Sequence, residues 1–497
     1  MSKDAKTIIG SGLAGPLLAI FLGQRGYSIH LFEKRPDLRI EKTSVGRSIN
    51  LALSHRGIRA LKAAKVFDEI EPHMIPMKGR MVHHLDGKLA FQPYSIYDYE
   101  HINSISRGEL NKILMNKAEE SGNVEIYFNH SLVEIDEIKN KLVFKNGVRV
   151  PIDQHVIGAD GAGSIIRKFI DSKNKPPSYS DPLGHGYKEL HIAPSRNGNF
   201  QLDPNALHIW PRGEFMLIAL PNTDKSFTCT LFLPNKGEIS FETLSSNNLV
   251  NDFFNEYFND VIHFIENFPD TYFDNPIGKL ATIYADKWQH ENQFCIIGDA
   301  AHAVVPFFGQ GMNASFEDCQ VLMECLDELN GNWNDLFSKY NFERKADTDA
   351  IAKMAIENYV EMRKSVSEKE YINKKKIANE LSRQFPDRFI PRYNMVSFTS
   401  IPYSEVVDDD KKMPGAKWFD GAKLNYAENL LRYRDDKIAI HFKGEGQTLR
   451  SLTYKDLFNE VEKLAQSLKE SGVQKGDRIC GFIPNMPEAI IAMLATT

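Results

Sequence analysis

The stretch KTIIGSGLAGPLLAIFLGQRGYSIHLFE, residues 6–33, decides the fold because strand and helix patterns alternate within it. The short apolar run at residues 6–9 predicts a buried strand, residues 16–25 predict a helix, and residues 28–32 predict a second strand. A strand, a glycine turn, a helix and a second strand in this order begin a βαβ unit, in which the two strands are parallel. The chain is therefore expected to have an α/β fold.

The turn between the first strand and the helix, residues 10–15, reads G-x-G-x-x-G. In a Rossmann-like domain Gly10 permits the tight turn, Gly12 lets the backbone approach a pyrophosphate, and Gly15 lets the helix pack closely on the strand. The N-terminus of the helix then presents unpaired N–H groups and a partial positive charge to the phosphates. The turn therefore predicts a dinucleotide site.

An acid at the end of the second predicted strand supports this assignment. Glu33 lies about twenty residues after the glycine turn, where a carboxylate accepts hydrogen bonds from ribose hydroxyls. Taken alone, such an acid would more often be a solvated residue at a strand end. The motif does not separate FAD from NAD. The residues expected to contact this part of the ligand are Gly10, Gly12, Leu13, Ala14, Gly15, Glu33, Lys34 and Arg35.

A second glycine-rich corner follows far along the chain, in FCIIGDAAHAVVPFFGQGMNASFEDC (294–319). A strand is predicted to end in Gly298-Asp299, and a helix is predicted over residues 313–329. Such a corner suits a ligand with a long second half. The combination resembles the flavoprotein aromatic hydroxylases, whose one Rossmann-like domain binds FAD. By that resemblance Asp299 would hydrogen-bond the ribityl chain, and the loop at 306–313 would lie against the isoalloxazine.

A third motif, Gly158-Ala159-Asp160-Gly161, resembles the DG motif of the same class, which contacts both FAD and the reducing nicotinamide cofactor. The sequence has no second G-x-G-x-x-G for NADPH, which matches a class in which NADPH binds only briefly. The helix beginning near residue 313 would direct its positive end at the flavin and stabilise the anionic reduced form by about 0.3–1 kcal/mol. His302 has no H-x-x-x-H partner and is expected to have a packing role.

Longer segments resemble one family, the kynurenine 3-monooxygenases, over residues 5–407. They include GRSINLALSHRG (46–57), VPFFGQGMNASFEDC (305–319) and FIPRYNMV (389–396). The resemblance implies that the substrate, L-kynurenine, is bound by Arg80, Tyr94, Asn358 and Tyr393, the first two at its carboxylate. It also implies further FAD contacts at Ala52, Arg107, Leu132, Asp160, Gly311, Met312 and Asn313.

The reaction implied by this resemblance is the hydroxylation of L-kynurenine to 3-hydroxy-L-kynurenine, in tryptophan degradation and quinolinate and NAD synthesis. NADPH would reduce FAD after the substrate binds, and O2 would then form a flavin hydroperoxide whose distal oxygen goes to the ring. No catalytic side chain is predicted, because the flavin carries the oxygen chemistry. Two alternatives are a FAD-dependent hydroxylase of another aromatic substrate and a catalytically silent FAD-binding protein.

The secondary-structure pattern divides the chain into an FAD-binding domain, an inserted α+β substrate domain, a helical region and a tail. The predicted bounds are 1–70, 100–180 and 286–330 for the FAD-binding domain, 71–99 and 181–285 for the substrate domain, 331–407 for the helical region, and 408–497 for the tail. Residues 208–222 and 226–234 are predicted to be two antiparallel strands joined by a turn at 222–225. Residues 246–268 and most of 333–385 are predicted to be helical.

The tail resembles the N-terminal part of an acetoacetate–CoA ligase, an adenylate-forming enzyme of another fold, in MPGAKWFDGAKLNYAENLL (413–431) and GVQKGDRICGFIPNMPEAIIAML (472–494). A capped helix is predicted to begin at Thr453, and RICGFI (478–483) is predicted to be a strand. The ATP-phosphate loop of that family is missing, so no ligase activity is expected. An accidental fusion or assembly artefact is preferred over a purposeful tether, and the incomplete sheet should expose apolar surface.

Composition excludes several other classes. The 497 residues have a formal net charge of −6, which does not favour nucleic-acid binding. The five cysteines are scattered and form no C-x-x-C pair, so neither a disulfide framework nor a zinc site is predicted, and a cytosolic location fits best. The sequence has no run of eighteen apolar residues, so no transmembrane helix is expected. Oligomeric state and the choice between NADPH and NADH stay open.

Overall fold

A computed structural model describes residues 3–40, 50–152, 155–386, 388–406 and 425–497. The chain divides into two compact units, residues 1–417 and residues 418–497. The strands of the first unit are β1 (Lys3–Ile9), β2 (Tyr27–Phe32), β3 (Asn50–Leu53), β4 (Ile75–Met77), β5 (Gly79–His83), β6 (Leu89–Pro93), β7 (Ile102–Ser106), β8 (Val124–Tyr127), β9 (Leu132–Asp136), β10 (Lys141–Phe144), β11 (Arg149–Pro151), β12 (Val156–Gly158), β13 (Tyr179–Ile192), β14 (Ala206–Pro211), β15 (Met216–Pro221), β16 (Phe227–Pro234), β17 (Gly278–Tyr284), β18 (Gln289–His290) and β19 (Phe294–Ile296).

The α-helices of the first unit are α1 (Ala14–Gln24), α2 (His55–Ala63), α3 (Phe67–Ile70), α4 (Arg107–Glu120), α5 (Ile165–Lys173), α6 (Asn247–Tyr257), α7 (Asp270–Asp274), α8 (Asp299–His302), α9 (Gly311–Glu328), α10 (Leu336–Arg363), α11 (Lys369–Gln384), α12 (Arg392–Phe398) and α13 (Tyr403–Val406). Short 3-10 helices are found at Glu71–His73, Ile262–Phe264, Pro306–Phe308 and Ser365–Ser367.

The first large sheet has six strands in the order β18-β19-β12-β1-β2-β8. The strands from β19 to β8 are all parallel, and β18 is antiparallel at the edge. The pairing of β1 with β2, in the register Ile8 to Leu31, confirms the βαβ unit predicted from residues 6–33. The α/β fold class is likewise confirmed. Because α1 is packed against α4 and α9 as well as the sheet, Leu17, Leu18 and Leu22 are fully buried.

The glycines of the first turn are required by close backbone contacts. Gly10 has a φ of +106°, and a Cβ there would lie 2.4 Å from the carbonyl oxygen of Ala159. A Cβ on Gly15 would lie only 2.0 Å from the carbonyl oxygen of Gly10. The first turn of α1 therefore lies directly against the end of β1, as the motif predicts.

A second large sheet has seven strands in the order β17-β13-β16-β15-β14-β5-β6. All neighbours are antiparallel except β14 and β5, which are parallel. The prediction of a single strand over residues 208–222 is wrong. The chain turns after Pro211, where Gly213 has a φ of +79° and the Arg212 N–H donates to the Phe215 carbonyl, so two strands form. The predicted turn at residues 222–225 is confirmed by the Lys225 N–H bond to Asn222.

The long helix predicted over residues 246–268 ends early, at Tyr257. Asp260 explains the ending, because its carboxylate accepts hydrogen bonds from the Trp210 indole N–H and lies 2.8 Å from His83 Nδ1. These contacts hold the chain against the seven-stranded sheet. The mostly helical region predicted over 333–385 is confirmed, with a break between α10 and α11. The division of the first unit into domains at the predicted bounds stays a prediction.

The second unit is small. It contains β20 (Ile438–Phe442) antiparallel to β21 (Arg450–Thr453), and the helices α14 (Tyr426–Leu430), α15 (Tyr454–Glu470) and α16 (Pro487–Thr496). The predicted cap at Thr453 is confirmed: its hydroxyl accepts from the Asp456 N–H while the Asp456 carboxylate accepts from the Thr453 N–H. Residues 46–49 and 413–424 of the quoted resemblance segments lie outside the described residues.

The strand predicted at residues 478–483 is wrong. These residues have no regular structure, and Ile479 and Phe482 are exposed. A strand needs a neighbour to pair its backbone groups, and within residues 425–497 the described pairing is that of β20 with β21. The apolar surface that the sequence predicts for this unit is therefore exposed. In the part of the chain that the structure describes, no helix is long and apolar enough to cross a membrane.

Two glycine substitutions test whether the close packing at Gly15 is needed for stability. Gly15→Ala forces a Cβ onto the Gly10 carbonyl and should destabilise the protein by about 1–3 kcal/mol through overpacking. Gly12→Ala is the matched control, because a Cβ at Gly12 meets no atom within 4 Å. Thermal unfolding followed by circular dichroism should show a lowered midpoint for Gly15→Ala alone. Equal midpoints for the two variants would contradict the packing role of Gly15.

Candidate active site

A cavity of about 830 Å³ lies where the carboxyl ends of the parallel strands face the seven-stranded sheet. In open α/β sheets this edge is where ligands bind. Residues from the ends of β1, β2, β12 and β19 border it on one side, and residues of β14, β15 and β16 border it on the other. The cavity is lined by these predicted contacts: Gly10, Gly12, Leu13, Ala14, Glu33, Lys34, Arg35, Ala52, Arg80, Tyr94, Arg107, Leu132, Asp160, Asp299, Gly311, Met312 and Tyr393.

Three predicted contacts are not among the residues that line this cavity, and each is used inside the protein. Gly15 is buried against Gly10. Asn313 accepts from the Ser54 N–H and donates to the carbonyls of Ala52 and Gly309, so its amide joins two loops. Asn358 donates to the Phe307 carbonyl over 2.6 Å. The direct contacts of these three residues with a ligand stay predictions.

The end of the cavity next to the glycine turn is built around Glu33. This carboxylate is buried, accepts from the Ser11 N–H at 2.7 Å, and accepts from the Arg35 N–H and guanidinium at 2.9 and 2.7 Å. Burial raises the pKa of Glu33, but the hydrogen bonds and charge of Arg35 outweigh it and leave the pKa below its ordinary value. Glu33 is therefore a fixed, ionised acceptor at the end of β2.

A second carboxylate, Asp160, follows β12. Its Oδ2 accepts from the Ile165 N–H at 2.8 Å, whereas its Oδ1 is buried and has no hydrogen-bond partner among the described residues. Burial raises the pKa of Asp160. A buried acceptor without a partner is costly unless a ligand supplies a donor. Because Asp160 lines the cavity, this oxygen indicates a bound group with hydroxyl or N–H donors.

The corner at Gly298 and the start of α9 form the opposite end of the cavity. Gly298 has a φ of +57° and is followed by the exposed side chain of Asp299, which lines the cavity. The loop then turns through Gly309, with a φ of +68°, into α9. Because Gly311 and Met312 also line the cavity, the positive N-terminal end of this 18-residue helix is directed into it.

Arg80, on β5, is the buried cation of the cavity. Its side chain is 3% exposed, its guanidinium lies 5.3 Å from the ring centre of Tyr393, and that ring stacks on Tyr94 at 4.9 Å. One nitrogen, Nη1, donates to Glu361 at 3.0 Å. Arg80 Nε and the Tyr94 hydroxyl are buried without partners among the described residues. Because Arg80 and Tyr94 both line the cavity, its wall contains two buried polar groups without partners among the described residues, as expected of a site for a small anion such as a carboxylate.

Apolar side chains form the rest of the wall. Phe307 and Phe308 line the cavity, as do Met216 and Phe232 from the sheet. Phe307 stacks on Tyr359 of α10 with ring centres 3.9 Å apart, so α10 holds this loop from behind. This part of the cavity wall is therefore apolar.

An acid and a lysine beside Arg80, Glu361 and Lys375, were not predicted from the sequence. Glu361 also accepts from the Tyr371 hydroxyl at 2.7 Å. The partly buried Lys375 interacts electrostatically with both Arg80 and Glu361. Glu361 could have been found, because it lies one helical turn after Asn358 on α10. His302, expected to have a packing role, does not line the cavity and pairs with Asp318. Among the described residues no group of three or more His, Cys, Asp or Glu could hold a metal ion.

The residues present fit FAD. Gly12 leaves open space where a Cβ would be, Asp160 offers a buried acceptor without a partner, and the N-termini of α1 and α9 border the same cavity. A mononucleotide would be too short to reach the N-termini of both helices, whereas a dinucleotide such as FAD can contact both. The fold and cavity define a FAD-dependent monooxygenase of the flavoprotein hydroxylase class.

Comparisons with known proteins agree. Residues 4–184 and 260–355 match the family model of the FAD binding domain, and residues 427–497 match that of the AMP-binding enzymes. The kynurenine 3-monooxygenase of Myxococcus xanthus is 44% identical over 405 residues, 81% of this chain and 87% of the relative. That of Cytophaga hutchinsonii is 45% identical over 413 residues, 82% and 91%. The chain belongs to the kynurenine 3-monooxygenase family.

A solved structure supports the fold alone. The tetrameric form of 2-methyl-3-hydroxypyridine-5-carboxylic acid oxygenase is 20% identical, with a TM-score of 0.60 over 73% of this chain and 94% of that chain. The match of residues 427–497 confirms that a ligase-like segment follows the monooxygenase on the same chain.

The lysine beside Arg80 generates a prediction about pH. Burial, with a smaller contribution from Arg80, lowers the pKa of Lys375 from 10.5 to about 7. The unfolded chain therefore binds more protons than the folded chain between about pH 7 and pH 10.5, and stability should rise with pH across this window. Lys375→Met should be more stable than the parent protein at about pH 6, and this advantage should shrink as the pH approaches about 10.

Urea denaturation of both proteins at several pH values measures this difference. Lys374→Met is the control, because Lys374 is on the same helix with its side chain 74% exposed. A stability difference between Lys375→Met and the parent that stays constant over the window would show that Lys375 does not titrate as described.

Proposed function

We propose that this protein hydroxylates L-kynurenine to 3-hydroxy-L-kynurenine, using NADPH and O2. The observation that carries the proposal is the buried guanidinium of Arg80, with an unpartnered Nε, lining the same cavity as the two glycine-rich corners. The relatives named kynurenine 3-monooxygenase support this choice of substrate. The product would enter tryptophan degradation and quinolinate and NAD synthesis. Five free thiols, four of them buried, suit a reducing cytosol.

The chain's own groups would hold the cofactor at both ends of the cavity. Glu33 would accept from the ribose, the N-terminus of α1 would face the pyrophosphate, and Asp299 would accept from the ribityl chain. The other proposed contacts are Gly10, Gly12, Leu13, Ala14, Lys34, Arg35, Ala52, Arg107, Leu132, Asp160, Gly311 and Met312. Bound FAD would supply the redox chemistry that takes electrons from NADPH and activates O2.

Arg80 would bind the carboxylate of the amino-acid substrate. Its planar fork suits a carboxylate, and Nη1 is held by Glu361, whereas Nε is buried without a partner among the described residues and could donate to the ligand. The Tyr94 hydroxyl, also buried without a partner in the described chain, can donate to the same carboxylate. The substrate would thereby be fixed at one end, and its aminophenyl ring would lie in the remaining space.

The apolar wall would orient the aminophenyl ring and keep water out. Phe307, Phe308 and Phe232 line the cavity on two sides, and Tyr393 connects this wall to Arg80. Excluding water protects a reactive oxygen species from wasteful release as peroxide. Asn358 and Tyr359 contribute indirectly, since both hold the Phe307 loop in place.

The test of this function is product analysis with the purified protein. The preparation should show a flavin absorbance spectrum, and L-kynurenine should stimulate NADPH oxidation with formation of 3-hydroxy-L-kynurenine. Parallel reactions with NADH and with other aromatic acids distinguish a different reductant or substrate. A flavin spectrum without kynurenine-stimulated turnover would contradict the proposal and favour another aromatic hydroxylase or a silent FAD-binding protein.

Replacing the proposed carboxylate ligand should affect substrate binding selectively. Arg80→Ala should raise the KM for L-kynurenine at least about 100-fold, because a carboxylate left unpaired in a closed site loses a charge-assisted pair. FAD content should be retained, since Arg80 is on β5 of the seven-stranded sheet and not on the strands that end at the glycine-rich corners. Arg80→Lys, which keeps the charge without the fork, should have an intermediate KM. An unchanged KM in Arg80→Ala would refute the assignment.

A further inference from the structure

Asp318 is a fully buried acid that the mechanism above does not use. It lies on α9, has no exposed surface, and is not among the residues that line the cavity. Burying a carboxylate is costly unless opposite charges and hydrogen bonds compensate it. Its partners therefore indicate what it does.

Three donors from three elements converge on Asp318. Its Oδ2 accepts from the Gly298 N–H at 2.9 Å and lies 2.5 Å from His302 Nε2. Its Oδ1 accepts from Arg344 Nε of α10 at 2.9 Å. One carboxylate thus joins α9 and α10 to both ends of the short helix α8, which begins after Gly298 and ends at His302.

The helix α8 is too short to be stable by itself. It has four residues, Asp299–His302, and an isolated helix of this length is unstable because nucleation costs more than one turn returns. Its backbone is closed by the N–H groups of Ala301 and His302 donating to the Gly298 carbonyl. The direction of Asp299 therefore depends on what anchors Gly298 and His302 from outside the helix.

The charge on Asp318 is what gives this anchor its strength. Burial would raise the pKa of its carboxyl, but His302 and Arg344 hold that pKa at about 2. The ionised carboxylate can accept from all three donors. An amide in its place would turn an N–H group toward at least one of them.

We propose that Asp318 is a positioning residue of the FAD site. By fixing Gly298 and His302 it aims Asp299 into the cofactor cavity, although it touches neither cofactor nor substrate. This role concerns FAD binding and does not depend on which aromatic compound the enzyme hydroxylates.

The test compares Asp318→Asn with Asp347→Asn in the full chain loaded with FAD. Asp347 is also buried and pairs with the same arginine, Arg344, at 3.3 Å, but its contacts lead to Ser404 and not to the Gly298 corner. We expect the FAD dissociation constant of Asp318→Asn, measured by equilibrium dialysis, to rise about 10- to 100-fold, as for loss of hydrogen bonds to a charged group. The flavin midpoint potential of this variant should also shift.

The control should retain FAD with a dissociation constant within about threefold of the parent protein. Far-UV circular dichroism verifies that both variants are folded. An unchanged FAD dissociation constant in Asp318→Asn, or equal weakening in the two variants, would overturn the proposal. If Asp318→Asn does not fold, Asp318→Glu keeps the charge and displaces the carboxylate by one methylene, and it must show the same contrast with Asp347→Asn.

Discussion

The contact between the first turn of α1 and the end of β1 is the constraint on which the rest of the site depends. At Gly15 the two backbones are so close that even a methyl group would overlap the Gly10 carbonyl. This contact directs the N-terminus of α1 along the carboxyl edge of the parallel sheet, where β2, β12 and β19 also end. Glu33, Asp160 and the Gly298 corner arrive at that edge as a consequence of strand order, although they are far apart in the sequence. The long ligand site follows from the topology of the sheet more than from any one residue.

The cavity wall formed by the seven-stranded sheet depends on a different interaction, a buried charge. The seven-stranded sheet offers an apolar face, and the guanidinium of Arg80 is buried beside it with Glu361 and three tyrosines around it. A buried charge is tolerated only when it is compensated, and Glu361 compensates Arg80 while leaving part of its fork unpaired. Asp318 shows the same balance with the opposite sign. Both charged groups lose solvation when they are buried. The charge of Glu361 orients Arg80, and we propose that the charge of Asp318 orients the corner that carries Asp299.

Much of this arrangement could be predicted from the sequence because glycine spacing encodes backbone contacts directly. The βαβ unit, the second corner and the capped helix at Thr453 each depend on local residue chemistry, and the structure has all three. Predictions of elements whose bounds depend on contacts with residues distant in the sequence were less accurate. The helix expected to reach residue 268 ends at Tyr257, shortly before Asp260, which accepts a hydrogen bond from Trp210. The strand expected at 478–483 has no strand to pair with among the described residues of the second unit. The ligand contacts that resemblance assigns to Asn313 and Asn358 stay predictions, and in this fold their side-chain amides also donate to loop carbonyls. The roles of Glu361 and Asp318 became visible only from their contacts.

The chain joins a kynurenine 3-monooxygenase family member to a segment that matches AMP-binding enzymes, and the residues that line the cavity of the proposed flavin site belong to the first unit. The most direct measurement of that site is a crystal structure of the protein with FAD and L-kynurenine bound. We expect one FAD to extend from Glu33 to Asp299, with the substrate carboxylate hydrogen-bonded to Arg80. A FAD that contacts only one of the two corners, or a kynurenine whose carboxylate lies away from Arg80, would contradict the proposed site.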